Sequence, residues 1–237
     1  MRSIILVCLL AAGIPAFSQY KHSAAEAPYG TFGIGVGFQD FEAINSRIEN
    51  YPQYKQLRDV TGLLQLGWIK EKRRVISIFN VMAGSTMSGD RDKMSSTVKF
   101  IGVQGDIGYD VLQEDRFMLY PYAGIGYEWY KARFFRDVSS VDFDDVLENA
   151  NTRNAIKSTD LKNAFFLYQV GIGFAVKSPR NPNKLIGIQA AYSGSFEDRT
   201  WRSNENQVLG GSPEDDLGRF HISLILGSKP HMMHKEK

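Results

Sequence analysis

Residues 31–41, TFGIGVGFQDF, alternate between large apolar side chains and glycine or polar ones. The even positions hold Phe32, Ile34, Val36 and Phe38, and the odd positions hold Gly33, Gly35, Gly37 and Gln39. A period of two residues is typical of a β-strand whose two faces meet different surroundings. This stretch therefore predicts a strand with one apolar face and one face of small and polar groups.

Seven more segments show the same kind of alternation, so the chain reads as eight strands. The weakest is 74–84, where both faces are largely apolar. The eight predicted strands are residues 31–41, 60–69, 74–84, 97–112, 117–131, 163–177, 184–197 and 217–227. Most have the length that a tilted strand needs to cross the apolar part of a membrane, about 9–11 residues.

The connections between these segments alternate in length. Three are short, at 70–73, 113–116 and 178–183, whereas the other four are long, at 42–59, 85–96, 132–162 and 200–216. Tight turns on one side and large loops on the other are typical of outer-membrane barrels. We therefore expect an all-β fold, an eight-stranded antiparallel up-and-down transmembrane β-barrel, with both termini on the periplasmic side.

The less apolar face carries glycine and isolated polar residues, with few of the Lys/Glu pairs that a solvated surface would have. A narrow, side-chain-filled lumen explains this composition. The predicted lumen polar network is Gln104, Asp106, Glu128, Gln169, Gln189, Arg219 and His221. Carboxylates at 106, 110, 128 and 197 are expected to pair with Arg219 and Lys177, since an unpaired charge would be costly there. The alternative, a cation path, is less favoured because a filled lumen conducts poorly.

The N-terminus has the pattern of a secretory signal. Arg2 precedes an apolar run at 4–12, Pro15 follows, and residues 16–18 (AFS) suit cleavage before Gln19. The alternative is an uncleaved anchor. Cys8 lies inside the apolar run, so the mature chain would have no cysteine. We predict a signal peptide at 1–18, a barrel at 19–228 and a flexible periplasmic tail at 229–237. Removing 1–18 leaves a formal net charge of +1, which does not indicate a nucleic-acid partner.

Three stretches resemble a known family: FSQ at 17–19, YGTFGIGVGF at 29–38 and YPYAGIGY at 120–127. They look like small eight-stranded outer-membrane β-barrel proteins of Bacteroidota, similar to OmpA- and OmpX-type barrels. The resemblance implies a place in the cell outer membrane among its lipids and lipopolysaccharide. Many such barrels end on an aromatic residue, whereas here ten residues, 228–237, follow the last predicted strand.

Several local features have competing interpretations. Aromatic residues near strand ends either form interfacial girdles or reflect the general frequency of aromatics in strands; they are Trp68, Tyr109, Tyr127, Trp129, Tyr130, Tyr192 and Trp201. Residues 40–50 predict a short helix with Asp40 as N-cap and an apolar face of Phe41, Ile44 and Ile48, or else an irregular loop.

Reactive and metal-binding patterns have weaker support. His221 and Ser223 share a strand face and match the residue types of lipid-modifying barrel enzymes, but a lumen position favours a structural role. The acidic loop 136–154 lacks an EF-hand glycine, which favours a solvated loop. His231 and His234 lie in the tail, whose default state is disorder.

The sequence therefore predicts a non-enzymatic barrel with no cofactor, no metal and no catalytic residues. It would act as a structural or interaction protein through its long external loops, with loop 132–162 as the expected contact for a protein partner. The alternatives are an accessory component of an envelope export or assembly machine, a lipid-modifying enzyme, and a soluble periplasmic barrel that binds an apolar ligand.

Overall fold

The computed structural model describes residues 27–52, 54, 56–86, 96–112, 114–135 and 141–230. The predicted signal peptide at 1–18, with Cys8, and the tail histidines His231 and His234 lie outside the described residues.

Strands make up most of the described chain. In chain order they are β1 (Tyr29–Gln39), β2 (Val60–Lys72), β3 (Val75–Thr86), β4 (Ser96–Tyr109), β5 (Phe117–Phe134), β6 (Thr159–Lys177), β7 (Lys184–Ser195), β8 (Arg199–Thr200), β9 (Arg202–Ser203), β10 (Glu214–Asp215) and β11 (Arg219–Ser228). The long strands β1 to β7 and β11 confirm the eight predicted segments.

These eight strands form a closed barrel. Each long strand pairs antiparallel with the next along the chain, and β11 returns to pair with β1, where Gly30 lies opposite Ser228. Sheet closure leaves no free strand edge among the long strands. The eight-stranded antiparallel barrel predicted from the sequence is confirmed.

The loops carry the remaining elements. Helix α1 (Glu42–Ile48) follows β1, and helices α2 (Phe143–Glu148) and α3 (Ala150–Ala155) lie between β5 and β6. Strands β8 and β10 pair with each other, and β9 extends the sheet beside β6. Among the described residues, none of the helices has the length and apolar character needed to cross a membrane.

Side chains alternate between the inside and the outside of the barrel. In β1 buried and exposed positions alternate along most of the strand, and β11 alternates along its whole length. The exposed side chains are large and apolar on every long strand, for example Ile34, Leu64, Val81, Ile101, Ile125, Val170, Ile188 and Leu224. Water-soluble proteins rarely expose an apolar surface that extends over every strand.

The interior is filled in three layers. Near the tight turns lies an apolar cluster that includes Tyr29, Ile69, Ile76, Met118 and Tyr120. A second apolar cluster closes the loop end, and polar side chains occupy the space between the two. The apolar inner face of β3, which weakened its strand pattern in the sequence, belongs to the turn-end cluster through Ile76 and Ile78.

Glycine creates the room that this packing needs. A Cβ atom added at Gly173 would run into the ring of Tyr120, and one added at Gly35 would run into the Ser223 side chain. Because an eight-stranded barrel is just wide enough for its own side chains, large inward residues require small ones opposite them.

Helix α1 confirms the predicted helix and its buried face, since Phe41, Ile44 and Ile48 are all buried. The predicted N-cap is wrong, because Phe41 occupies that position and no side chain hydrogen bond caps the helix locally. The helix therefore begins at Glu42, one residue later than an Asp40 cap predicts, and the Phe41 ring is buried in the loop-end cluster.

Two aromatic residues assigned to an interfacial girdle are inside the protein. Tyr109, Tyr127, Trp129 and Tyr192 are exposed on the outer face, but Tyr130 and Trp201 are buried in the loop-end cluster, which contradicts their assignment. Tyr130 lies in the inward phase of β5.

The β2–β3 turn is tighter than predicted. Pairing continues to Lys72 opposite Val75, so only Arg73 and Arg74 form the turn, and both have positive φ, 51° and 74°. Two-residue hairpins of this kind favour Asn and Gly because other residues are strained in the left-handed region. Arg74 still contributes, since its guanidinium donates to the carbonyl oxygen of Asp110.

We predict that Arg73→Asn stabilises the barrel. Relief of left-handed strain should raise the free energy of unfolding by about 0.5–1 kcal/mol, measured by urea titration of the protein folded in lipid vesicles. Arg180→Asn, in the β6–β7 turn, removes the same charge without a positive φ and should stay within about 0.5 kcal/mol of the parent. Equal effects of the two changes would contradict the strain argument.

Candidate functional site

The seven residues predicted as a lumen network all lie inside the barrel. Each occupies an inward position and is buried; they are Gln104, Asp106, Glu128, Gln169, Gln189, Arg219 and His221. On β6, Gln169 shares the alternation that buries Phe165 and Leu167. The joint role of the seven remains a prediction, but their positions define the polar layer between the two apolar clusters.

The strongest contact in this layer joins Arg219 of β11 to Glu128 of β5. Arg219 Nη2 lies 2.5 Å from Glu128 Oε1, and Arg219 Nη1 lies 2.9 Å from Glu128 Oε2, which makes a bidentate ion pair. Both side chains are almost fully buried, at 1% and 3% exposure. A bidentate guanidinium–carboxylate pair is the arrangement that best satisfies two buried charges.

Aromatic side chains complete the surroundings of this pair. The Tyr130 hydroxyl donates to Glu128 Oε2 and accepts from Arg219 Nη1 at 3.0 Å. The Arg219 guanidinium lies 4.4 Å from the centre of the Phe100 ring, which stacks on Tyr130. The ion pair therefore lies directly beneath the loop-end cluster, to which Phe100 and Tyr130 belong.

The other predicted residues form separate small groups. Gln104 donates to Asp106 at 3.1 Å, Gln189 donates to the Tyr120 hydroxyl at 3.1 Å, and Gln169 accepts from Ser193 at 2.9 Å. The last two of these hydrogen bonds join different strands, whereas the first lies within β4. They do not link the seven residues into one chain.

His221 and Ser223 are both in the lumen, at about the level of Gln65. Ser223 Oγ accepts a hydrogen bond from Gln65 Nε2 at 3.0 Å, and His221 Nδ1 has no hydrogen-bond partner within the described residues. Their strand neighbours Phe220 and Ile222 face outward. A lipid that approached from the barrel exterior would meet these apolar side chains and not the His221–Ser223 face.

The predicted charge pairs are realised only in part. Glu128 does pair with Arg219, but Glu197 is exposed and pairs with Arg199, so its inward assignment is wrong. Lys177 pairs with Glu71 at 2.8 Å, near the tight turns. Asp110 is buried, and its Oδ1 accepts from the backbone N–H groups of Leu112 and Leu119.

A cap closes the loop end of the barrel. The loop-end cluster brings α1 and the segment around Trp201 and Leu217 onto inward residues of β4, β5 and β6. Trp201 Nε1 donates to Asp215 Oδ2 at 2.5 Å, and the same carboxylate accepts from the backbone N–H groups of Ala43 and Ile44 at the start of α1. Asp215 thus supplies from β10 the cap that α1 lacks locally.

Two effects act on the pKa of the Asp215 carboxyl in opposite directions. Burial raises the pKa of Asp215 above its ordinary value, whereas the hydrogen bonds from Trp201 and from the start of α1 act in the opposite direction. A carboxylate near a helix N-terminus is favoured by the partial positive charge there. The contact therefore fixes the last loop to the first.

The described carboxylates of the loop between β5 and β6 do not form a cluster that could bind a metal ion. Asp142 Oδ1 accepts from the N–H of Asp144 and caps α2, and Asn149 caps α3 in the same way. Asp137 lies outside the described residues. In the part of the chain that the structure describes, no three His, Cys, Asp or Glu side chains are placed to hold a metal ion.

Sequence reasoning missed the partners that complete the polar layer. Tyr120, Tyr130, Gln65 and Ser193 each bond a predicted residue or its neighbour. All four occupy inward phases of their strands, so the alternation itself was the signal that could have found them. Trp201 and Asp215 lie in a loop without periodicity and gave no such signal.

Solved structures of several outer-membrane proteins are similar to this chain. Ail from Yersinia pestis, solved with the heparin analogue sucrose octasulfate, has 14% identity and a TM-score of 0.47, covering 86% of this chain and 98% of its own. Neisserial surface protein A has 10% identity and a TM-score of 0.48, covering 88% and 98%. A major outer membrane protein from Thermus thermophilus has 12% identity and a TM-score of 0.47, covering 85% and 99%.

No protein-family model and no curated protein sequence matches the chain. Because the TM-scores are below 0.5, similarity to these solved structures does not indicate this protein's activity. The fold class rests on its own strand pairing.

We predict that the Glu128–Arg219 pair is essential for stability. Arg219→Met leaves a buried carboxylate without its partner and should lower the free energy of unfolding by about 3–5 kcal/mol. The double variant Arg219→Met/Glu128→Gln removes both charges and should recover much of that loss. Urea titration in lipid vesicles measures each value.

Arg199→Met provides the control, because it breaks the exposed pair with Glu197. Such a pair contributes at most about 1 kcal/mol. A cost for Arg219→Met as small as that of Arg199→Met would contradict the importance of the buried pair.

Proposed function

We propose that this protein is a non-enzymatic barrel of the bacterial outer membrane that acts through its long external loops. The observation that carries the proposal is the apolar exterior, which is present on all eight long strands while the polar groups are turned inward. A soluble antiparallel sheet places its polar face toward water. The reverse arrangement suits a protein surrounded by lipid.

The proposed orientation follows from the two ends of the barrel. The tight turns and both chain ends of the barrel lie together, and the capped end carries the helices and the long loops. In barrels of this type the short turns face the periplasm and the long loops face outward. We place the cap and helices α1 to α3 on the cell exterior accordingly.

The filled interior supports a scaffold or interaction role over transport. Two apolar clusters and a polar layer with a bidentate ion pair occupy the lumen. Groups packed this way give rigidity to the loops that they support. Burial of His221 and Ser223 also argues against a lipid-modifying enzyme, whose substrate would come from the membrane.

Helix α2 is the best candidate for contact with a protein partner. Its Phe143 side chain is 72% exposed, and Leu147, one turn later on the same face, is also exposed. Acidic side chains at 144, 145 and 148 flank this apolar pair. Exposed apolar residues with a charged rim are typical of interaction surfaces, which supports loop 132–162 as the contact for a protein partner.

We predict that the barrel exterior requires lipid. Ile34→Arg places a charge on the apolar belt and should cost about 2–4 kcal/mol in a bilayer, so less protein folds into vesicles and less shows heat-modifiable migration in gels. Phe143→Arg introduces the same charge in an exposed loop and should leave folding unchanged. Parent protein recovered in the soluble periplasmic fraction, without a heat-dependent shift, would refute the membrane placement.

We also predict that α2 contacts a partner in the envelope. A photo-reactive residue at position 143 should give a discrete cross-linked product in intact cells, because its side chain is exposed on the external loop. The same residue at position 180, in a tight turn on the opposite side, should not give that product. Absence of a product at position 143 would count against the interaction role of this loop.

A further inference from the structure

Four cationic side chains lie side by side on the outer face of the barrel. Strand register places Lys99 directly opposite Lys131, Lys131 opposite Lys162, and Lys162 opposite Arg202. We call these four residues the cation row. Most of their chain neighbours, among them Phe100 and Ala132, are buried, so the row faces outward. With neighbouring strands about 4.8 Å apart, it spans roughly 15 Å across β4, β5, β6 and β9.

The cation row lies at the loop-side edge of the apolar exterior. Two residues closer to the turns, on the same face, Ile101 lies opposite Trp129. Two residues further on, Val103 lies opposite Tyr127, whose ring contacts that of Trp129. Tyr and Trp side chains are typical of the boundary between lipid tails and headgroups. In the membrane-spanning barrel proposed above, the row is therefore at the height of the lipid headgroups.

Acidic side chains neutralise this row only in part. Asp160 pairs with Lys131 at 2.7 Å and also with Arg133, and Lys162 donates to the carbonyl oxygen of Asn204. Within the described residues, no acidic side chain pairs with Lys99 or Arg202. Like charges placed directly opposite each other destabilise a sheet, so an anion across the row would relieve a repulsion that the fold leaves in place.

The remaining charge of the loop end is distributed unevenly around the barrel. A groove on the side of β1 and β11 is lined by Asp40, Glu42, Glu214 and Asp216. In the strand order, β1 is four strands away from β5 in either direction. The acidic groove and the cation row are therefore on opposite sides of the barrel.

A groove lies beside the cation row. It encloses about 320 Å³ between β5, β6, β8 and β9, and its lining includes Trp129, Lys162, Asn163, Arg199 and Arg202. Cationic and amide donors thus line this space together with an aromatic ring.

We propose that the cation row binds the phosphate groups of a phosphorylated glycolipid of the lipopolysaccharide type, with the acyl chains of the lipid against Ile101, Trp129 and Tyr127. Phosphate is the anion that a line of Lys and Arg at a membrane surface recognises. The inference rests on the proposed function, because the row meets a lipid leaflet only when the barrel spans the membrane with its loops outside.

The test uses the full chain folded in zwitterionic detergent micelles and titrated with diphosphorylated lipid A, with binding followed by native mass spectrometry. The triple variant Lys99→Gln/Lys162→Gln/Arg202→Gln should bind about 100-fold more weakly, since each cation near an anionic lipid surface contributes roughly fivefold. Lys131 stays because it pairs with Asp160. The matched control Lys70→Gln/Lys72→Gln/Arg180→Gln loses the same charge at the turn end and should bind as the parent does.

Two further probes identify the source of the anion. Lipid A with both phosphates removed should bind much more weakly, and sodium pyrophosphate alone should bind poorly because it offers nothing to the aromatic and apolar side chains. Equal binding by the triple variant and the parent, or by the dephosphorylated lipid, would overturn the proposal. If pyrophosphate binds as tightly as lipid A does, a lipid is not the source of the anion that the cation row binds.

Membrane insertion distinguishes failure of this inference from failure of the proposed function. If the parent protein folds in vesicles and its gel migration changes on heating, but it does not bind lipid A, the cation-row proposal alone is refuted. A parent protein that does not enter membranes refutes both.

Discussion

The cost of enclosing charge in a narrow barrel governs the interior of this protein. Eight strands leave room only for side chains, so Glu128 and Arg219 cannot keep a shell of water and must satisfy each other. Their bidentate contact ties the last strand to β5 across the lumen. Phe100 and Tyr130 pack on the guanidinium and also form the floor of the loop-end cluster. The ion pair therefore lies directly under the floor of the cap.

The exterior obeys a different constraint, because its side chains match their surroundings by height. Apolar residues cover the middle of every long strand, aromatic rings follow at β5, and the cation row lies beyond them. On the opposite side of the loop end, beside β1 and β11, a groove is lined by acidic side chains. A barrel with eight similar strands thus acquires distinct sides through its rim, and proteins or lipids arriving laterally meet different chemistry on each.

Much of the fold followed from alternation in single strands. In each long strand, inward and outward residues alternate along the sequence. This alternation was sufficient to identify all eight long strands and to place Glu128 and Arg219 in the lumen. Tyr130 was misassigned because an aromatic ring near a strand end suits both an interface and a core. Lys99, Lys131 and Lys162 showed no relation in the sequence, since their alignment depends on register between strands separated by long loops. The contact of Trp201 with Asp215 depends on loop conformation, and the loop sequence has no periodic pattern of apolar residues from which to predict it.

The cap also has a consequence for how the closed barrel is held together. Asp215, on β10, binds the start of α1. Helix α1 follows β1 and β10 precedes β11, so this contact links the chain segments next to the two strands whose pairing closes the barrel. Contacts between distant parts of a chain are slow to form because their loop-closure entropy must be overcome first. The cap thus adds, beside the β1–β11 pairing, a second long-range contact that lies outside the hydrogen bonds of the sheet.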